Sequence, residues 1–220
     1  MNQINWIFFD IGGVLADESA YQEFRHATCL AIASRYVPEL TEGDYARAYK
    51  GASTGIGSLS ERLVRQLLEN AGKADRVNDA LEAMASEFRS GPSYLEMEEV
   101  KPGARDVVAT LAQKYRIGII ANQPEGIIGK LSSAGIMPYL SDCTLASDQL
   151  GKPSKVYYLR VLSKTGANPE RSIMVDDNLD RGILPAKALG MTTVWFGQED
   201  TPVGVDYAVM CLEDLLLILR

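Results

Sequence analysis

Asn5-Trp6-Ile7-Phe8-Phe9-Asp10-Ile11-Gly12-Gly13 opens as an apolar run and stops abruptly at an acid followed by glycines. Continuous apolar character bounded by glycines suits a strand buried on both faces, as in a parallel sheet. Similar runs recur at Ile117–Ile120, Ser172–Val175 and Thr192–Trp195. Helical patterns lie between and around them, at Ala104–Lys114, Gly126–Ala134, Lys155–Lys164 and Asp180–Leu189. This alternation predicts a doubly wound α/β sheet. From about Glu18 to Tyr94 the pattern changes. Stretches such as Leu59–Leu68 and Asp79–Phe88 place apolar residues three and four apart, which predicts an all-helical insertion after the first strand. The Pro102–Gly103 pair marks the return to the sheet.

Ligands of such sheets sit outside the carboxyl ends of the strands. Three of the four runs end in polar clusters, namely Asp10, Asn122–Gln123 and Asp176–Asp177, so these are expected to converge on one crevice, with the inserted lobe over it.

Bulk properties narrow the chemistry. The 220 residues suffice for one core domain and a smaller lobe, and 46% hydrophobic content supports a full core. A net charge of -7 argues against nucleic acid as a partner, although a local lysine and a metal ion still allow one small phosphorylated molecule. Cys29, Cys143 and Cys211 are far apart, without zinc-site spacing, and read as buried free thiols. No apolar run reaches transmembrane length, and Met1–Phe9 lacks the basic start and cleavage site of a signal peptide. The expectation is a soluble cytoplasmic protein with no membrane partner.

Four motifs in order carry a family resemblance: Phe8-Phe9-Asp10-Ile11-Gly12-Gly13-Val14-Leu15; Ile119-Ile120-Ala121-Asn122-Gln123; Leu150-Gly151-Lys152-Pro153 followed by Tyr157; and Val175-Asp176-Asp177-Asn178, closed by Ala188-Leu189-Gly190-Met191. Nearly the whole chain thereby resembles the haloacid-dehalogenase superfamily, in particular its subset whose first motif reads Asp-x-Gly. The resemblance implies a Rossmann-like core at 1–16 and 96–220, with a helical cap at 17–95. It also implies a Mg²⁺-dependent phosphatase working through an aspartyl-phosphate on a small phosphorylated metabolite. Asp10 would be the nucleophile. Asp10, the Gly12 carbonyl and Asp177 would hold Mg²⁺. Lys152 would pair with phosphate and with Asp10, while Asp176 would orient Lys152 or a metal-bound water. Ala121 and Asn122 would line the phosphate.

Taken singly, Asp10 reads as a helix cap or turn residue, Lys152–Pro153 as an exposed turn, and Asp176–Asp177 as caps. Two positions also depart from the family's usual pattern. Gly12 stands where its phosphatases usually carry a second Asp, the general acid and base, and Ala121 where Ser or Thr gives phosphate a hydroxyl. Asp17, or a residue of the lid, is a candidate replacement for the acid, with Asp17 set against a plainer role capping the first lid helix with Glu18 favouring its positive end. A phosphate-binding protein without turnover, and a metal-free dehalogenase, are the alternative readings. Arg181 and Pro185 stand where the fourth motif is commonly acidic and small, and Pro185 fits only near the first turn of a helix. Gly51–Gly57 resembles a nucleotide-binding glycine run, but a helix-like segment precedes it where a strand is required, so it reads as an inter-helix loop. His26 is assigned no role.

Overall fold

The computed structural model describes residues 3–52, 58–146, 151–197, 201 and 203–219. Expectations resting on Ser53–Gly57 and on Leu150 lie outside these described residues. In chain order the elements are β1 (Trp6–Phe9), β2 (Ala16–Asp17), α1 (Ser19–Ser34), α2 (Glu42–Ala52), α3 (Leu59–Asn70), α4 (Val77–Ser90) and α5 (Tyr94–Met97). They continue with β3 (Glu99–Val100), α6 (Ala104–Leu111), β4 (Arg116–Ala121), α7 (Ile127–Ser133), β5 (Leu140–Leu145), α8 (Lys155–Thr165) and β6 (Ser172–Asp176). The last are α9 (Leu184–Lys187), β7 (Thr192–Phe196), β8 (Tyr207–Val209) and α10 (Asp214–Ile218).

The chain divides into two units, Met1–Glu18 with Glu99–Arg220, and Ser19–Glu98. The first contains a sheet in the order β5-β4-β1-β6-β7-β8, with every neighbouring pair parallel. This is the doubly wound Rossmann-like arrangement: successive strands go one way from β1 to β5, then resume on its other side at β6. Ile7, Phe8, Phe9, Ile117, Ile119, Ile120, Met174 and Val175 are fully buried, which explains why the central strands read as unbroken apolar runs.

The second unit is helical and has its own core. The buried residues of α3 are Ser60, Leu63, Val64, Leu67 and Leu68, three and four apart, and the apolar ones pack with Cys29, Ile32, Ala48, Ala80 and Met84 of α1, α2 and α4. Ser93 and Glu96 form a reciprocal capping box on α5.

Several elements differ from the sequence expectation. β5 and β8 have no counterpart there: both are edge strands, β5 with a polar-rich and largely part-buried sequence and β8 with only three residues. The two-residue pair β2–β3 was also unforeseen. The expected helix Asp180–Leu189 is a π-helical turn, Leu179–Ile183, followed by α9, with Pro185 inside the first turn of α9 where a missing N–H costs nothing. The thiols are not uniformly buried: Cys143 is part-buried and Cys211 exposed. Among the described residues no helix is long and apolar enough to cross a membrane.

Candidate active site

β1 and β6 pair with Phe9 opposite Val175, and the Asp10 N–H donates to the Val175 carbonyl at 2.9 Å. Asp10 and Asp176 therefore leave adjacent strand ends side by side, where the strand order reverses. Lys152, just before α8, reaches between them. Its Nζ lies 2.8 Å from Asp10 Oδ2 and 2.6 Å from Asp176 Oδ2, and its side chain is 2% exposed against 10% and 0% for the two acids. Burial opposes the lysine's charge, but the two carboxylates outweigh it and hold its pKa above that of an ordinary lysine. Burial pushes the Asp10 carboxyl up to about 6, with Lys152 pulling it down and Asp176 adding to the rise.

The rest of the loop structure serves these three side chains. Asp176 Oδ1 accepts the Asn178 N–H at 2.8 Å, so both of its oxygens are engaged. Asn178 in turn caps the π-helical turn by accepting the Arg181 N–H. Gly182 of that turn packs directly on Asp176, and a Cβ there would overlap the carboxylate. Tyr158 donates to the Gly182 carbonyl at 3.0 Å. Asn122 clamps Lys152 by its main chain: Nδ2 donates to the Lys152 carbonyl at 2.8 Å and Oδ1 accepts the Lys152 N–H at 2.7 Å. The Asn122 side chain, expected on phosphate, is thus engaged in holding the lysine. The Ala121 carbonyl accepts from Tyr157 OH and from the Ala146 N–H.

Asp177 stands beside this network and is less buried than Asp10 and Asp176. Burial, then the charges of Asp10 and Asp176, push its carboxyl up to about 7. Asp10, Asp176 and Asp177 bring one oxygen each to within 4.8 Å of one another. The turn after β1 is shaped around Asp177. Gly13 has a left-handed φ of 74°, and its missing Cβ leaves room for the Asp177 carboxylate. Lys101 donates to the Gly13 carbonyl and lies 4.5 Å from the centre of the Phe196 ring. Burial lowers the Lys101 pKa, against the pull of Asp17, Asp177 and Glu18.

Asp17 is an exposed β2 residue paired opposite Glu99, two residues before α1 begins at Ser19, and its charge is felt at Lys101. Its neighbour Glu18 turns the other way, accepting from Gln123 Nε2 at 3.0 Å, and its carboxylate lies where a Gly12 Cβ would be. Glu18 and Lys101 are the residues that the motifs alone did not single out. No sequence pattern separates Asp17 from Glu18, which lies between β2 and α1.

The haloacid dehalogenase-like hydrolase family matches this chain over residues 4–190. The chain is 30% identical over 167 residues to a phosphoserine phosphatase of Thermus thermophilus, covering 73% of this chain and 65% of that protein. It is 30% identical over 160 residues to a ribulose-1,5-bisphosphate 5-phosphatase of Halopiger xanaduensis, covering 70% and 65%. The match thus spans just under two thirds of each of these relatives. Among solved structures, the HAD-hydrolase YfnB of Bacillus subtilis bound to magnesium superposes with a TM-score of 0.64 at 18% identity, covering all of both chains.

Proposed function

The chain belongs to the haloacid dehalogenase-like hydrolases, and from that premise we propose that it is a Mg²⁺-dependent phosphomonoesterase acting on a small phosphorylated metabolite. The observation that carries the reading is the Asp10–Lys152–Asp176 bridge, with Asp177 beside it, at the crevice where the strand order reverses. The names of the two relatives support phosphoryl chemistry in preference to carbon–halogen cleavage.

The donor set fits a hard divalent cation. Three carboxylates close together against one lysine leave excess negative charge, and oxygen donors of this kind suit Mg²⁺. Asp10, Asp177 and the Gly12 carbonyl would hold it, since Asp176 is engaged on both oxygens. When bound, the cation offsets the repulsion between an anionic attacker and an anionic phosphate.

The protein's own groups divide the remaining work. Asp10 attacks phosphorus, its Oδ–P bond forms as the ester P–O bond breaks, and water then hydrolyses the aspartyl-phosphate. Lys152 keeps Asp10 anionic and aimed, and offers its remaining positive charge to the phosphate oxygens. Asp176 and Asn122 fix Lys152 at its head and its main chain respectively. Ala121 has no hydroxyl to give, so phosphate binding depends on Lys152, backbone N–H groups and the cation.

The test is a screen of sugar, amino-acid and nucleoside phosphates with and without Mg²⁺, beside Asp10→Asn. Expected is Mg²⁺-dependent phosphate release, abolished in the variant, with label from substrate trapped on the protein by acid quench. Ala121 favours a second reading, a phosphate-binding protein without turnover. Saturable phosphate binding with no release from any substrate would select it.

A further inference from the structure

An alkyl phosphate cleaved by Asp10 leaves an alkoxide that needs a proton, and freeing Asp10 needs a base for the incoming water. Around the cluster, Lys152 is held between two carboxylates, Asp176 is engaged on both oxygens, and Asn122 is committed to the Lys152 main chain. Asp10 is the attacking group, and Asp177 belongs to the cation. Among the described residues, Glu18 brings a further carboxylate to this place. Its carboxylate occupies the volume of a side chain at position 12, two residues beyond the nucleophile. Gln123 Nε2, at the end of β4, donates to Oε1 at 3.0 Å and lies 2.9 Å from the position a Gly12 Cβ would take, so the carboxylate is aimed between the ends of β1 and β4. Its charge is felt at Asp177.

We propose that Glu18 is a catalytic residue, the proton carrier of both half-reactions, with Gln123 as its positioning partner; this rests on the phosphomonoesterase reading above. In the first half-reaction the Asp10 Oδ–P bond forms, the ester P–O bond breaks, and the Glu18 carboxyl proton passes to the departing oxygen. In the second, the water O–P bond forms, the Asp10 Oδ–P bond breaks, and the water proton returns to Glu18. Gly12 is then the complement of Glu18: a side chain there would displace the carboxylate. Gly12 has no left-handed φ, so space accounts for its identity better than backbone conformation.

The test compares the wild type, Glu18→Gln, Glu18→Ala and the double variant Glu18→Ala/Gly12→Asp, with Mg²⁺, on p-nitrophenyl phosphate and on an alkyl phosphate. p-Nitrophenolate leaves without a proton, so Glu18→Gln should release about one equivalent in a burst. It should then turn over ~10²–10⁴-fold more slowly, with phosphate trapped on the protein. On the alkyl phosphate the same variant should show no burst. The double variant should recover at least about tenfold over Glu18→Ala, because the carboxylate returns by another route to the same place. Wild-type turnover by Glu18→Gln without a burst, or a double variant no faster than Glu18→Ala, overturns the proposal. Unchanged turnover in Asp10→Asn would instead sink the phosphomonoesterase reading itself, whatever Glu18 does.

Discussion

Lys152 is the residue on which the others depend, because it is the positive charge bonded to both buried acids. Removing one partner of a buried ionic set leaves the others uncompensated, which typically costs ~3–5 kcal/mol. Lys152→Met should therefore lose about that much stability in urea titrations at pH 8. At pH 5 the loss should be smaller, since the stranded carboxyls can take up protons. An equal loss at both pH values would mean that packing of the lysine stem, and not its charge, is what matters. Asp177 gives a second prediction with its own sign. Its folded pKa, about 7, is raised above the unfolded value, so its contribution to stability is present below about 3.8 and is lost as pH rises through about 7. In protein stripped of metal by chelator, Asp177→Asn should gain Tm over the wild type at pH 8, with the gain shrinking to nothing near pH 4. A constant offset across that range would contradict the charge argument.

At the scale of elements, the π-helical turn Leu179–Ile183 is a wrapper for Asp176, closed by the Asn178 cap and seated against the carboxylate through Gly182. Gly182→Ala should push the carboxylate off Lys152, costing ~1–3 kcal/mol by overpacking and lowering kcat more than it raises KM. Unchanged stability and kinetics would show that the turn yields freely. This turn also marks a limit of sequence reading. Periodicity signalled one continuous helix from Asp180, and only Pro185 pointed to a late start. The central strands were legible because burial on both faces leaves an unbroken apolar run, and Asp10, Asp176 and Asp177 stood out as acids where such runs end, whereas Lys152 was marked only by the family resemblance. β5 and β8 were not, since an edge strand needs no apolar run. Nor was the Asn122 clamp, because a side chain that holds a loop by its main chain thirty positions away leaves no local pattern. Asp17 and Glu18 were separated only by the β2–β3 pairing, which two residues are too few to announce.

At the scale of the whole molecule, that same pairing defines how the helical unit is spliced into the chain. Ala16 pairs with Val100 and Asp17 with Glu99, so the two crossings between units lie on adjacent, hydrogen-bonded strands. The Lys101 N–H also donates to the Leu15 carbonyl at 2.9 Å, extending the pairing on the core side. A unit whose entry and exit are this close can be removed without stretching the remaining backbone, and a three-residue loop, Glu18 followed by Asn-Gly, suits an antiparallel pair joining Asp17 to Glu99. The core unit retains its own buried set, including Ile7, Phe8, Phe9, Ile119, Met174, Val175 and Val194, and the helical unit keeps a separate one around Leu63, Leu67 and Leu68. Replacing residues 19–98 by Asn-Gly should therefore give a protein that still unfolds cooperatively and still contains the Asp10–Lys152–Asp176 bridge. Mg²⁺ should raise the Tm of this protein, following RT ln(1 + [L]/Kd), and the rise should vanish when Asp177→Asn is added. A broad, non-cooperative melt would show that the sheet needs the helical unit in order to fold. A sharp melt indifferent to Mg²⁺ would instead place the cation's ligands outside the core unit, against the assignment of Asp10, Gly12 and Asp177.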